Sequence, residues 1–198
     1  MSSKILENKI SKIFVDSASI ILASKKISSH IKEAVDLIIE CYDNNGKIIV
    51  FGNGGSAADA QHFAAELIGR FKLERQSLPA LALTTDTSIL TAIGNDYGFD
   101  YVFARQCESL VNQNDVVIAI STSGKSKNIL NGIIMSRKKG AHIIGLTGHN
   151  GKTMKKFTDV LLVIPSSSTA RIQEGHRTTI HVICELVEDS LTKNHYKH

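Results

Sequence analysis

Five short apolar runs recur along the chain: KIIVF (47–51), ALALT (80–84), DVVIAI (115–120), HIIGL (142–146) and DVLLVI (159–164). Runs of this length without polar alternation suit strands buried on both faces. Helix-patterned segments stand between most of them. One runs from about Ser56 to Phe71, then come DTSILTAI (86–93), DYVFARQCESLV (100–111) and a segment from about Ser126 to Lys139. A long last helix is expected from about Thr169 to Leu191. A chain that alternates in this way has few ways to bury itself. The expected architecture is a three-layer αβα sandwich with a mainly parallel sheet.

The first 45 residues lie outside that rhythm. Ile10, Ile13, Phe14, Ser17 and Ile21 recur at helical spacing, and a second pattern runs through Ile31, Ala34, Val35 and Ile38 to a stop at Asn45-Gly46. These amphipathic helices suit either covering the sheet or packing against another copy of the chain, and the sequence alone favours neither. Both prolines fall in connections and no linker divides the chain, so a single domain over 1–198 is expected, with leading helices over 1–45 and the αβα core over 47–191.

Composition narrows the class. Hydrophobic residues make up 42% and charged residues 21%, an ordinary globular balance. The net charge of +4 comes from Lys and Arg spread along the chain. Nucleic-acid binding would call for a concentrated basic stripe, and none is present. The start, MSSKILENKI, lacks the pattern of a signal peptide, and no run of about 18 apolar residues exists. Neither secretion nor a membrane span is expected. Three widely separated cysteines, Cys41, Cys107 and Cys184, argue against a disulfide framework or a Cys-based zinc site and fit a reducing cytoplasm.

Ligands of open parallel sheets bind beyond the carboxyl ends of the strands. Three polar, glycine-rich segments are expected at that edge: GNGGS (52–56), STSGKS (121–126) and TGHNG (147–151). STSGKS offers Ser121, Thr122, Ser123 and Ser126 before a helix N-terminus, where free N–H groups and the helix dipole favour an anion. A plain helix cap would need one hydroxyl, not four. A nucleotide P-loop would need glycine at 119, where Ala119 stands. GNGGS formally matches a dinucleotide fingerprint, but no acidic residue closes the second strand: Glu74 precedes ALALT and Asp86 lies past it. The glycines suit close backbone approach to some other ligand, or a tight turn.

Behind GNGGS, His62 and Glu66 stand at i and i+4 on one helical face, about 6 Å apart at Cα level. That spacing serves two ligands of one metal, an acid–base pair, or an ordinary surface pair. The last helix carries Gln173, Glu174, His176, Arg177 and His181 ahead of an apolar run. Gly175 within it costs roughly 1 kcal/mol relative to Ala, so an irregular start is expected there.

The segments GNGGSAADAQHFAAELIGRF, LTAIGNDYGFD, VVIAISTSGKS, IIGLTG and ARIQEGHRTTIHVICELVE together resemble the sugar isomerase (SIS) domain family and, within it, the bacterial phosphoheptose isomerases. They span most of the chain. The first and last are the specific ones. The resemblance implies an SIS fold and conversion of D-sedoheptulose 7-phosphate to D-glycero-D-manno-heptose 7-phosphate. That reaction begins the path to the heptose of lipopolysaccharide or another surface carbohydrate. It also implies a cytoplasmic homotetramer with active sites at subunit contacts and one zinc per subunit.

Position by position, the resemblance makes His62, Glu66, Gln173 and His181 the zinc ligands. Asn53, Gly54, Gly55, Glu66, Asn95, Asp96, Ser121, Thr122, Ser123, Ser126 and Gln173 become contacts of the sugar phosphate, with Arg70 a further candidate. Lys125 stands where the family often has Asn, and Gly175 where a larger residue is usual. Aldose–ketose exchange needs a base beside the carbonyl and an acid or cation for the enediolate oxygen, roles expected of Glu66 and His181. Gln173 and His181 lie about 12 Å apart along a regular helix, so a site shared between chains is expected. Two other readings resemble this chain in part. One is a non-catalytic SIS partner of the replication initiator DnaA, whose branch lacks the carboxylate and the histidine. The other is an SIS isomerase for a different sugar phosphate.

Overall fold

The apolar runs form one parallel sheet, in the order β2-β1-β3-β4-β5. The computed structural model describes residues 3–195, so the outermost residues of the expected 1–198 domain lie outside the described residues. In chain order, α1 (Ser3–Ala23) and α2 (Ser28–Asp43) precede β1 (Ile48–Gly52) and α3 (Gly55–Ile68). β2 (Ala80–Ala82), α4 (Thr87–Asp96) and α5 (Val102–Leu110) follow. Then come β3 (Val116–Ser121), α6 (Lys127–Lys138), β4 (His142–Gly148), β5 (Val160–Ile164) and α7 (Thr169–His195).

Alternation along each strand builds the three layers. Ile48, Val50, Ile118, Ile120, Ile144 and Leu162 pack with α2, α3 and α7 on one face. Ile49, Phe51, Val117, Ala119 and Ile143 pack with α5 and α6 on the other. With both faces apolar, hydrophobicity alone cannot set strand register. Two aspartates placed just before strands do so. Asp115, 2% exposed, accepts the Lys47 and Asn112 N–H groups at 2.9 and 2.7 Å and ties β1 to β3. Asp159 accepts the Ile143 N–H at 2.7 Å and ties β5 to β4.

Of the two leading helices, α2 covers the sheet through Ala34, Val35, Ile38 and Cys41. α1 buries no residue and leaves Phe14 72% and Leu22 67% exposed. It is held to α7 by polar contacts: Ser17 donates to Glu174, and Arg171 donates to the Ile13 carbonyl at 2.9 Å.

Several expectations change in detail. α3 ends at Ile68 rather than Phe71, because the Phe71, Lys72 and Leu73 N–H groups turn to the Glu188 carboxylate. α4 continues to Asp96, so Asn95 and Asp96 are helical. TGHNG leads into a 3-10 segment, His149–Phe157, that no apolar periodicity announced. The irregular start expected at Gly175 is absent, and α7 runs unbroken. A Cβ there would lie 2.7 Å from Ile164, so the glycine lets α7 lie close on β5. Tertiary packing outweighs helix propensity at that position.

Candidate active site

The chain leaves β1 for β2 on one side, while β3, β4 and β5 follow on the other. The carboxyl ends of β1 and β3 therefore form the topological switch point, the place where sheets of this kind bind ligands. GNGG leaves β1 there and STSGKS leaves β3. Gly54 has φ +55°, a left-handed conformation that suits glycine. Gly55 lies under Gln173, and a Cβ would meet the Gln173 amide nitrogen at 2.3 Å.

In the second loop the Ser121 hydroxyl accepts the Gly124 N–H at 3.1 Å and the Ser123 hydroxyl accepts the Lys125 N–H at 3.2 Å. These bonds shape the loop. Ser126 precedes α6 yet makes no cap bond through its side chain. Its hydroxyl and that of Thr122 find no protein partner among the described residues, next to a helix end that favours an anion. TGHNG packs beneath: a Cβ on Gly124 would lie 2.5 Å from the Gly151 Cα. It supports the second loop rather than forming a separate pocket.

α3 and α7 run parallel and side by side. Gly55 meets Gln173, Asp59 pairs with Arg177, and His62 meets His181, each pair one turn or so beyond the last. At the third rung the two histidine Nε2 atoms stand 2.8 Å apart, and Glu66 Oε1 lies 3.4 Å from His62 Nε2. One ligand atom from each of His62, Glu66 and His181 falls within 4.8 Å of the others, all partly exposed. Two imidazoles and a carboxylate converging in this way could hold a metal ion. Burial, and then His62 beside it, hold the His181 pKa below the usual imidazole value, against the pull of Glu66.

Residues 14–148 match the SIS domain family. The chain is 53% identical over 167 residues to a phosphoheptose isomerase of Geobacter sulfurreducens, covering 84% of this chain and 88% of that one. It is 50% identical over 183 residues to phosphoheptose isomerase 1 of Campylobacter jejuni, covering 92% and 98%. The chain belongs to the phosphoheptose isomerase family of SIS-domain proteins. A solved structure, phosphoheptose isomerase GmhA from Neisseria gonorrhoeae, superposes with a TM-score of 0.88 at 43% identity, covering 93% of this chain and 99% of that one.

Within this phosphoheptose isomerase chain the expected site residues divide into groups. His62, Glu66 and His181 converge. Gln173 does not join them; it lies at Gly55, about two helical turns back along α7. Asn53, Gly54, Gly55 and the 121–126 loop share the switch point. Asn95 and Asp96 bond to each other at 2.8 Å on the exposed end of α4. Arg70 turns to Glu74 at 3.5 Å rather than to the cluster. The acids that a dinucleotide would need are engaged elsewhere, since Glu74 pairs with Arg70 and Asp86 caps α4 through the Ile89 N–H.

The rest of the polar load on α7 is structural. Glu174 holds α1 and Arg177 holds Asp59. His176 is fully buried, and among the described residues neither ring nitrogen makes a well-aligned hydrogen bond, although the Thr147 carbonyl lies nearby. Burial pushes its pKa down to about 4, opposed by the Thr147 carbonyl and the charge on Asp59. The unfolded chain protonates this ring near 6.5, while the folded chain resists until about 4. The stability is intact above 6.5 and falls by about 3 kcal/mol as pH drops between the two values. Replacing His176 by Leu is expected to flatten that part of the acid denaturation profile, measured as thermal midpoint against pH.

The sequence missed three residues that set the site's geometry. Arg75 and Glu188 pin the segment after α3, and Asn128 bonds Asn53. Asn128 stands two residues past Ser126, close enough to the hydroxyl loop to be noticed. For Arg75 and Glu188 no local pattern pointed to the pairing.

Proposed function

We propose that this chain is a sugar-phosphate isomerase acting on D-sedoheptulose 7-phosphate to give D-glycero-D-manno-heptose 7-phosphate. The observation that carries this reading is the His62–Glu66–His181 cluster beside the two switch-point loops, in a chain half-identical to phosphoheptose isomerases. The same convergence argues against a non-catalytic DnaA-binding role, which has no use for a paired carboxylate and imidazole. The chain works as one SIS domain in the cytoplasm, and its product enters lipopolysaccharide or another surface carbohydrate.

The 121–126 loop and the α6 N-terminus hold the phosphate, with Ser121, Thr122, Ser123 and Ser126 as donors. Asn53, Gly54 and Gly55 meet the opened sugar chain, and Asn95, Asp96 and Gln173 complete its contacts. Glu66 takes a proton from C1 of the open ketose. The C–H electron pair forms the C1=C2 bond and the carbonyl pair moves to O2, where His181 supplies a proton. Return of a proton from Glu66 to C2, with loss of the O1 proton to His181, leaves the aldehyde at C1. Each group is thus restored at the end of the cycle.

The donor set fits zinc. His62, Glu66 and His181 would hold it, with Gln173 completing the set from a second copy of the chain. When bound, zinc supplies a positive charge that polarises the carbonyl and favours the enediolate. One Glu66 oxygen faces His62, leaving the other for the proton. The placement of Gln173 at Gly55, away from the cluster, and the exposed apolar residues of α1 both support a homotetramer with shared sites. Purified protein should contain about one zinc per chain by mass spectrometry of the metal. His62→Ala should lose it, and a chelator should abolish turnover that added zinc restores. Full zinc content in that variant would sink the ligand assignment.

A further inference from the structure

Asn128 is the second residue of α6 and is 3% exposed. Its Oδ1 accepts the backbone N–H of Ile129 at 2.9 Å. A backbone N–H only donates, so the oxygen end of this amide has one permitted direction. The same oxygen accepts from Asn53 Nδ2 at 3.0 Å, and Asn128 Nδ2 donates to Asn53 Oδ1 at 2.9 Å. The two side chains close a reciprocal amide pair across the switch point.

That closure has a directional consequence. Turning the Asn53 amide over would set oxygen against oxygen and nitrogen against nitrogen. The Ile129 N–H therefore dictates, through Asn128, where Asn53 presents its second N–H and its second lone pair. Asn53 leaves the end of β1, while Asn128 belongs to the helix whose first turn follows the phosphate loop. One buried side chain thus links the loop assigned to the sugar with the helix end assigned to the phosphate.

We infer that Asn128 is a positioning residue of the isomerase. It holds the Asn53 amide in the one orientation that meets the sugar, without touching substrate itself. This rests on the reading of Asn53 as a sugar contact. Its effect should pass through Asn53 alone, because its remaining bond, to Ile129, stays within its own helix.

The test is a double-mutant cycle on the full-length protein, with turnover of sedoheptulose 7-phosphate by the wild type measured first. Asn128→Ala and Asn53→Ala should each lower kcat/KM about tenfold, the scale of one or two lost hydrogen bonds. In the Asn53→Ala background, adding Asn128→Ala should change kcat/KM less than about twofold, since coupled residues are non-additive. Competitive inhibition by inorganic phosphate, which reports on the second loop alone, should stay within about twofold of wild type, as expected for a site not sharing the lost partner. Asn128→Asp keeps the size and the Ile129 acceptor but loses the donor to Asn53, and should lower kcat/KM in the same non-additive way; its charge beside the phosphate loop leaves the phosphate comparison to Asn128→Ala. Additive losses, or phosphate inhibition that weakens in step with turnover, overturn the proposal while leaving the isomerase reading intact. No wild-type turnover overturns both.

Discussion

Glu66→Gln is expected to lower kcat for the ketose-to-aldose conversion by about 1,000-fold or more, within the range for loss of a positioned general base. The amide keeps the shape of the carboxylate and its place one turn from His62, but cannot accept a proton from carbon. The expected assembly, measured by light scattering, should be that of the wild type, because among the described residues the Glu66 carboxylate makes no ion pair or hydrogen bond other than that with His62. KM should change less than kcat, since all the expected phosphate contacts and most of the sugar contacts lie on other residues. Residual activity within tenfold of wild type would remove Glu66 from the role of base.

Glu188→Ala carries the largest expected effect on stability. Glu188 is 2% exposed and accepts the Phe71, Lys72 and Leu73 N–H groups at 3.0, 2.7 and 2.8 Å. Arg75 Nε lies 3.1 Å away, and the rest of that guanidinium donates to the carbonyls of Glu66, Leu67, Gly69 and Gln76. The pair ties the C-terminal end of α3 to α7 and places Phe71 against the His181 ring, centroids 5.6 Å apart. Removing the carboxylate leaves a buried cation and three N–H groups without a partner, a loss of about 3–5 kcal/mol. Burial raises the Glu188 pKa, but the three N–H bonds and then Arg75 outweigh it and hold the group below the usual carboxylate range. A depressed carboxylate stabilises above its unfolded pKa and ceases to do so as pH falls through the folded value. The gap in denaturation midpoint between wild type and variant should therefore be widest near neutrality and narrow below about pH 4. A gap that does not vary with pH would contradict the charge-based account.

The layer architecture was legible because strands buried on both faces carry unbroken apolar runs, and five such runs bounded by turns leave little choice. The switch-point loops were legible for a related reason. GNGGS and STSGKS hold more glycines and hydroxyls than a turn or a cap requires. His62 and Glu66 could be paired because i,i+4 spacing is local. The opposite side of the site was not local. That α7 lies parallel to α3, so that His181 reaches His62 and Gln173 reaches Gly55, depends on packing between segments more than 100 residues apart. For His181, resemblance to a family supplied what periodicity could not. Glu188 illustrates the limit most clearly. A glutamate in the last turns of an amphipathic helix reads as solvent-facing, and only the fold brings three N–H groups to it. Gly175 illustrates a wrong inference with a plain cause, since a glycine read as an irregular start to the helix is small enough to sit against Ile164.

The most direct measurement follows wild type and Glu66→Gln side by side, with purified protein, added zinc and sedoheptulose 7-phosphate, and reads the rate at which an aldose heptose 7-phosphate forms. The account predicts steady formation by the wild type and formation at least about 1,000-fold slower by the variant. No aldose from the wild type, or equal rates from the two proteins, would contradict it.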